Sequence, residues 1–341
     1  MIKVVIVGCG AIASKRHAPA CRSYEKESVK LGFFDPIREN AQALALCHDG
    51  EVYESLEEVL GDPQVKAVVI CAPEKYHCDM TVKCLSAGLH VLCEKPMGMD
   101  MEQAFKMYRE KEKAGRELAI AFSQRNYSEF TTARKMLLRG EIGRPIAFRT
   151  ALSNPGVEYF VQGKREGFYD TNLTNVGDVM LNVGCHRIDL ISWLFGKQIQ
   201  KVLAYTPALD KRFSNGELIP QGDTAMVILQ LEDGLAGMLW SSWCNYGGID
   251  ASMEIFGTNG SIKISADGRI LLEKSNSTDR TEKTVLKTKE EQKGYYVTWN
   301  FLDFLVSGKP VEADARAGLN CMMVLDAIRR ANVSGKWETV H

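Results

Sequence analysis

A chain of 341 residues has room for two domains, and 45% hydrophobic with 25% charged residues is the balance of an ordinary globular protein. A formal net charge of −1 leaves no electrostatic footprint for a nucleic acid or a membrane surface, so neither partner is expected. No apolar run reaches the length of a bilayer span, and Met1-Ile2-Lys3-Val4 enters a strand too soon for a signal peptide.

The ten cysteines are Cys9, Cys21, Cys47, Cys71, Cys78, Cys84, Cys93, Cys185, Cys244 and Cys321, and no two form a Cys-x-x-Cys pair. Most lie in apolar runs, where cysteine acts as a small buried hydrophobe, and a reducing cytoplasm is the expected location. Structural zinc needs ligand spacings that are absent, so no metal is expected. Cys93 beside Lys95 has the alternative reading of a reactive thiol.

Ile2 to Val7 is nearly all β-branched, as in a central parallel strand buried on both faces. It runs into Gly8-Cys9-Gly10-Ala11-Ile12-Ala13 and then a helical pattern to about Tyr24. A strand, a G-x-G-x-x-A turn and a helix form a dinucleotide fingerprint. Gly8 permits the tight turn, Gly10 admits a pyrophosphate close to the backbone, and the amides at Ala11 and Ile12 supply donors. The second strand, Val29 to Phe34, ends at Asp35, 25 residues beyond Gly10. Asp35 reads either as the acid that binds the adenosine ribose or as a turn aspartate before Pro36. Arg38 follows and is able to meet a 2′-phosphate.

Helices are expected over 40–47 and 56–60, with a short strand over 51–53. Val65 to Cys71 is a strand ending in Ala72-Pro73-Glu74-Lys75-Tyr76-His77, and a helix runs from there to about Ala87. The apolar run Leu89, Val91, Leu92 is stopped by Pro96, which leaves Glu94 and Lys95 at the carboxyl end of a strand. Ligands bind at that end of an open α/β sheet, although a surface ion pair at a strand end is also common. A helix over 101–114 and a strand over 117–122 complete a doubly wound parallel sheet.

After Phe122 the pattern changes to a helix over 131–139 and a strand over 146–152. Residues 154–175 are polar, irregular and aromatic, a length of loop that is usually functional. Gly177 to Phe195 reads as one helix, with Asn182, His186 and Asp189 on a single face at offsets of four and three. His186 is either a satisfied core histidine or a base for a hydroxyl proton. From Ile199 to Leu286, alternating runs with hairpin turns read as an antiparallel sheet, and helices over 291–306 and 314–331 close the chain. The expected division is a dinucleotide-binding domain over 1–122 and an α+β domain with a mainly antiparallel open sheet over 123–341.

These motifs together resemble the Gfo/Idh/MocA family of NAD(P)-dependent oxidoreductases of sugars, inositols and related polyols. The likeness spans the chain: Gly8-x-Gly10-x-Ile12-Ala13, Ala72-Pro73-x-x-x-His77, Glu94-Lys95-Pro96, Phe122-x-x-Arg125, Ile142-Gly143-x-Pro145 and Gly184-x-His186-x-x-Asp189. The resemblance implies that Lys95 lies beside the nicotinamide and the reacting carbon, that His186 is an acid/base, and that Glu94 serves the nicotinamide ribose. It also implies that Ala72, Pro73 and His77 belong to the cofactor segment, and that the chain assembles as a dimer or tetramer through its second sheet. Two positions depart from the family: Asn182 stands where Asp is usual, and Glu74 where Asn is usual.

The expected activity is hydride transfer between NAD(H), preferred over NADP(H), and a hydroxyl or carbonyl carbon of a sugar, inositol or polyol. Lys95, His186 and Asn182 are the expected catalytic residues. Arg125, Tyr159, Lys164, Arg165 and Tyr169 are candidates for holding substrate with them. The alternatives are a transient oxidation that enables elimination or glycoside cleavage, and a nucleotide-binding sensor without turnover.

Overall fold

β1 (Ile2–Val7) is buried along nearly its whole length because neighbours pair with it on both sides and helices cover both faces. The computed structural model describes residues 2–160, 166–275, 281–287 and 295–341. Lys164, Arg165 and the expected start of the helix at 291 lie outside the described residues.

After β1 the chain forms a π-helical turn, Ala13–His17, and then α1 (Ala18–Arg22). Pro19 accounts for the widened turn. It has no N–H, and its ring crowds the carbonyl four residues back, so the backbone opens locally to an i→i+5 bond from Ala18 N to Ala13 O. β2 (Val29–Phe34), α2 (Arg38–His48), β3 (Glu51–Val52), α3 (Leu56–Gly61) and β4 (Val65–Ile70) follow. Ser55 caps α3 by accepting from Glu58 N. The unit is completed by α4 (His77–Ser86), β5 (His90–Cys93), α5 (Met101–Ala114) and β6 (Leu118–Ile120). Among the described residues these strands make a six-stranded sheet in the order β3-β2-β1-β4-β5-β6, with every pair parallel. The order reverses direction between β1 and β4, so a crevice opens at the carboxyl ends of those strands.

The second unit starts with α6 (Ser128–Leu138) and β7 (Pro145–Ser153). The segment expected to be irregular contains a short helix, α7 (Phe168–Asn172), between 3₁₀ turns at Val157–Tyr159 and Leu173–Asn175. The helix expected from Gly177 begins later, because Asp178 Oδ1 accepts from Leu181 N at 2.8 Å. It opens with a π turn, Met180–Gly184, and continues as α8 (Cys185–Phe195), which Gly196 ends at φ 63°. β8 (Ile199–Tyr205), β9 (Thr224–Leu231), β10 (Ala236–Ser242), β11 (Met253–Gly257), β12 (Gly260–Ile264), β13 (Arg269–Ser275) and β14 (Thr281–Lys287) follow. The chain closes with α9 (Tyr295–Ser307), α10 (Ala315–Ser334) and an unexpected short strand, β15 (Glu338–Thr339). Among the described residues the second sheet has nine strands in the order β14-β13-β12-β11-β7-β10-β9-β8-β15. Its pairs are antiparallel except β10 with β7, which agrees with the mainly antiparallel sheet expected.

The two closing helices tie the units together. Val297, Phe301 and Leu302 of α9 join the apolar cluster that includes Val4, Ile6 and Leu31 of the first sheet. Trp299 Nε1 donates to Ala20 O at 2.8 Å. Ile120 N donates to Ala313 O at 2.8 Å, so the chain entering α10 lines the edge of β6. α10 then packs on α5 and β6 of one unit and on α8 and β8 of the other. This clamp fixes the crevice against the start of α8.

Candidate functional site

The site is built from three strand ends and one helix start. Gly8 follows β1 at φ +89°, and a Cβ there would lie 2.6 Å from Ala72 N, so the glycine turn and the segment after β4 lie against each other. The space beside Gly10 is open, with no atom within 4 Å of where a Cβ would stand. Asp35, at the end of β2, accepts from Cys9 N through Oδ2 at 2.7 Å and from Ile37 N through Oδ1 at 2.9 Å. It is therefore both the turn residue and a brace for the glycine loop. Arg38 is half-exposed and forms an ion pair with Glu54.

His77 lies beneath the crevice, 1% exposed, with a carbonyl oxygen at each ring nitrogen. Nδ1 faces Pro96 O at 2.8 Å and Nε2 faces Ala72 O at 2.9 Å. It thus joins the Ala72-Pro73 segment to the Glu94-Lys95-Pro96 segment. Burial opposes a charge on this ring, but the Cys93 sulfur, the Pro96 carbonyl and Glu74 outweigh it and raise the pKa to about 9. Both nitrogens are then donors, as two carbonyl partners require.

Glu94 accepts from His17 Nε2 at 3.0 Å, and the other ring nitrogen of His17 meets Thr298 Oγ1 at 2.9 Å. Burial would raise the Glu94 carboxyl, but His17, Lys95 and Arg16 hold it well below the usual carboxylate range. Neither His17 nor Thr298 was expected at the site. They are 281 positions apart, and no local pattern links them.

Lys95 reaches across the crevice and donates from Nζ to the backbone carbonyl of Asn182 at 2.9 Å. The Asn182 side chain donates from Nδ2 to Glu74 Oε1 at 2.7 Å. His186, half-buried and one turn further on, has its Nδ1 buried without a partner among the described residues. Burial and then the Lys95 charge push its pKa well below the ordinary 6.5, so the ring is neutral near pH 7. Neutral imidazole is the form able to take a proton.

The expected single stripe does not act as one group. Asp189 is buried in a bidentate pair with Arg125, at 2.8 Å from Nε and 2.5 Å from Nη2, and Arg125 also holds Glu312 O. Arg125 thus braces α8 against the segment before α10. Tyr169 donates to Glu158 Oε2 at 2.8 Å, and Lys211 holds the other oxygen of that carboxylate at 2.6 Å. Tyr159 and Tyr169 line a cavity of about 370 Å³ with Lys211, Phe213 and Tyr246, and Lys95, Asn182 and His186 are not part of its lining.

A glycine turn against an open space, at the switch point of a doubly wound sheet, fits the pyrophosphate of a dinucleotide. Residues 2–122 match the oxidoreductase family with an NAD-binding Rossmann fold, and residues 130–263 match the Gfo/Idh/MocA C-terminal domain. The chain belongs to the Gfo/Idh/MocA family, and NAD is its cofactor. It is 25% identical over 354 residues to an uncharacterized oxidoreductase of Rhizobium meliloti, covering 100% of this chain and 99% of that one. It is 26% identical over 232 residues to the myo-inositol 2-dehydrogenase of Thermotoga maritima, covering 67% of this chain and 64% of that protein. The solved structure of levoglucosan dehydrogenase in complex with NADH has the same fold, with a TM-score of 0.89 at 19% identity over 100% of this chain and 99% of that one.

Proposed function

We propose that this protein is an NAD-dependent oxidoreductase that interconverts a CH–OH and a C=O carbon of a sugar, inositol or related polyol. The observation that carries this reading is the bond of Lys95 to the backbone of Asn182, with the Lys95 charge acting on His186 one turn further on, in a chain that also has the glycine turn after β1. Gly8, Gly10, Ala11, Ile12, Asp35, Ala72, Pro73 and Glu94 would hold the dinucleotide, with His77 fixing the two segments beneath it. When bound, NAD would supply the acceptor for a hydride from the carbinol carbon, and loss of that hydride and one proton would leave a carbonyl. The neutral His186 takes that proton. Lys95, anchored to Asn182 O, puts a fixed positive charge where alkoxide character develops, a role whose loss commonly costs about a hundredfold in rate.

The relatives named for inositol and levoglucosan support the substrate class. A cytoplasmic location is supported by ten free cysteines, and among the described residues no helix is long and apolar enough to cross a membrane. A dimer or tetramer is supported by the outer face of the second sheet, where Tyr205, Met226, Ile228, Met238 and Trp240 stand exposed on adjacent strands.

The test is a panel of sugars, inositols and sugar acids with NAD and NADP, read as absorbance of the reduced cofactor. The wild type should reduce NAD with at least one polyol, and Lys95→Met should lose at least about nine-tenths of that kcat while still binding NADH. A Lys95→Met variant with more activity than that removes the electrostatic role given to Lys95.

A further inference from the structure

Glu74 opens the 3₁₀ turn after β4, is 8% exposed, and its charge is one of those that raise the pKa of the buried His77 ring, yet it is in no ion pair at contact distance among the described residues. Among the described residues its side chain accepts from Asn182 Nδ2 at 2.7 Å, and it takes part in no salt bridge. A buried carboxylate whose hydrogen-bond partner is a neutral amide is costly, and the charge of His77, which it does not touch, offsets only part of that cost. Its bond to Asn182 ties the turn that follows Ala72-Pro73 to the π turn that precedes α8. π turns of this kind occur often where a helix serves a site.

The contact has a definite chemical consequence. An ionised carboxylate only accepts hydrogen bonds, so the Asn182 amide must turn its nitrogen toward Glu74. Its remaining side-chain atom, Oδ1, is then an acceptor and nothing else. The backbone oxygen of the same residue receives Lys95 Nζ at 2.9 Å. Residue 182 therefore joins the cation of the site to a carboxylate that comes from a different element, 108 positions away. Glu74 and Asn182, the two positions at which the resemblance described above departs from its family, are the two partners of this one bond.

We propose that Glu74 is the carboxylate of the acid/base site and the positioning residue that holds Asn182 Oδ1 as the acceptor for a substrate hydroxyl. This rests on the dehydrogenase reading above. The carboxylate and the amide act as a unit: one supplies negative charge and fixes orientation, and the other meets the hydroxyl.

Isosteric exchange tests the unit. Glu74→Gln, Asn182→Asp and the double variant E74Q/N182D keep every side-chain length and change only where the charge and the protons lie. At neutral pH, Asn182→Asp puts two carboxylates in contact and should lower Tm by several degrees, and the double variant should recover most of that loss. With a polyol that the wild type oxidises, Glu74→Gln should lower kcat/KM by about tenfold or more while NADH binding stays within about threefold, and the double variant should regain most of it. Additive Tm effects, or a Glu74→Gln variant keeping more than about half of the wild-type kcat/KM, would overturn the proposal and leave the dehydrogenase reading intact. Absence of wild-type turnover would instead overturn the dehydrogenase reading. The Tm cycle, together with loss in Glu74→Gln of polyol-induced stabilisation of the NADH complex, would then still support the pair, and additive Tm changes would still refute it.

Discussion

His77 illustrates how much one side chain decides here. With a carbonyl at each ring nitrogen, it holds two strand-end segments together only when both nitrogens carry protons. Its pKa in the folded protein, about 9, lies above the ordinary 6.5. The stabilisation is therefore fully present below about pH 6.5 and is lost as pH rises through about 9. Urea unfolding of wild type and His77→Leu should differ by up to a few kcal/mol at pH 6, with the gap closing by pH 10. A gap that does not change with pH would mean that the ring is neutral. The preference for NAD over NADP is predicted to rest on Asp35 at the same scale. Its carboxylate opposes a 2′-phosphate, and Arg38 is already paired with Glu54, so NAD should be preferred over NADP by roughly tenfold or more in kcat/KM. Asp35→Ser should narrow that ratio. Because Asp35 also holds Cys9 N, the variant should weaken both cofactors, and only the ratio reports on the phosphate.

At the scale of elements, α9 is the clearest case of a segment whose place in the fold lies far from its place in the chain. Phe301 is fully buried against the first sheet, although it follows the whole second sheet in sequence. Phe301→Ala should cost about 3–5 kcal/mol, measured as a fall in the denaturant midpoint with m unchanged. A loss under about 1 kcal/mol would show that α9 is not part of the first core. Strong local periodicity made the first unit legible. The strand, glycine turn and helix from Ile2, and the strand ends at Ala72 and Glu94, were all readable from apolar runs and their stops. The π turns at Ala13 and Met180 were not, because an i→i+5 bond leaves the apolar spacing almost unchanged. The parallel pairing of β7 with β10 was hidden for a similar reason, since period-two alternation is the same in either direction. The site's residues were legible as residue types, but their partners were not. Nothing local joins Asp189 to Arg125, Glu74 to Asn182, or His17 to Thr298.

For the whole molecule, the open second sheet has one face covered by helices and another that displays Met226, Ile228, Met238 and Trp240. An apolar face of this kind on paired central strands is suited to a self-complementary interface. Light scattering after size exclusion should give a dimer or tetramer, and Met238→Lys with Trp240→Lys should shift it toward the monomer. A wild-type monomer at micromolar concentration would remove that assignment. In the proposed reaction, electrons leave the substrate carbon for NAD and stay there. The most direct measurement uses a polyol from the panel, deuterated on its carbinol carbons, and isolates the reduced cofactor and the sugar product. One deuterium in each NADH, formed in equal amount with a carbonyl product, is the predicted result. Unlabelled NADH, or deuterium returned to a product without net NADH, would contradict it.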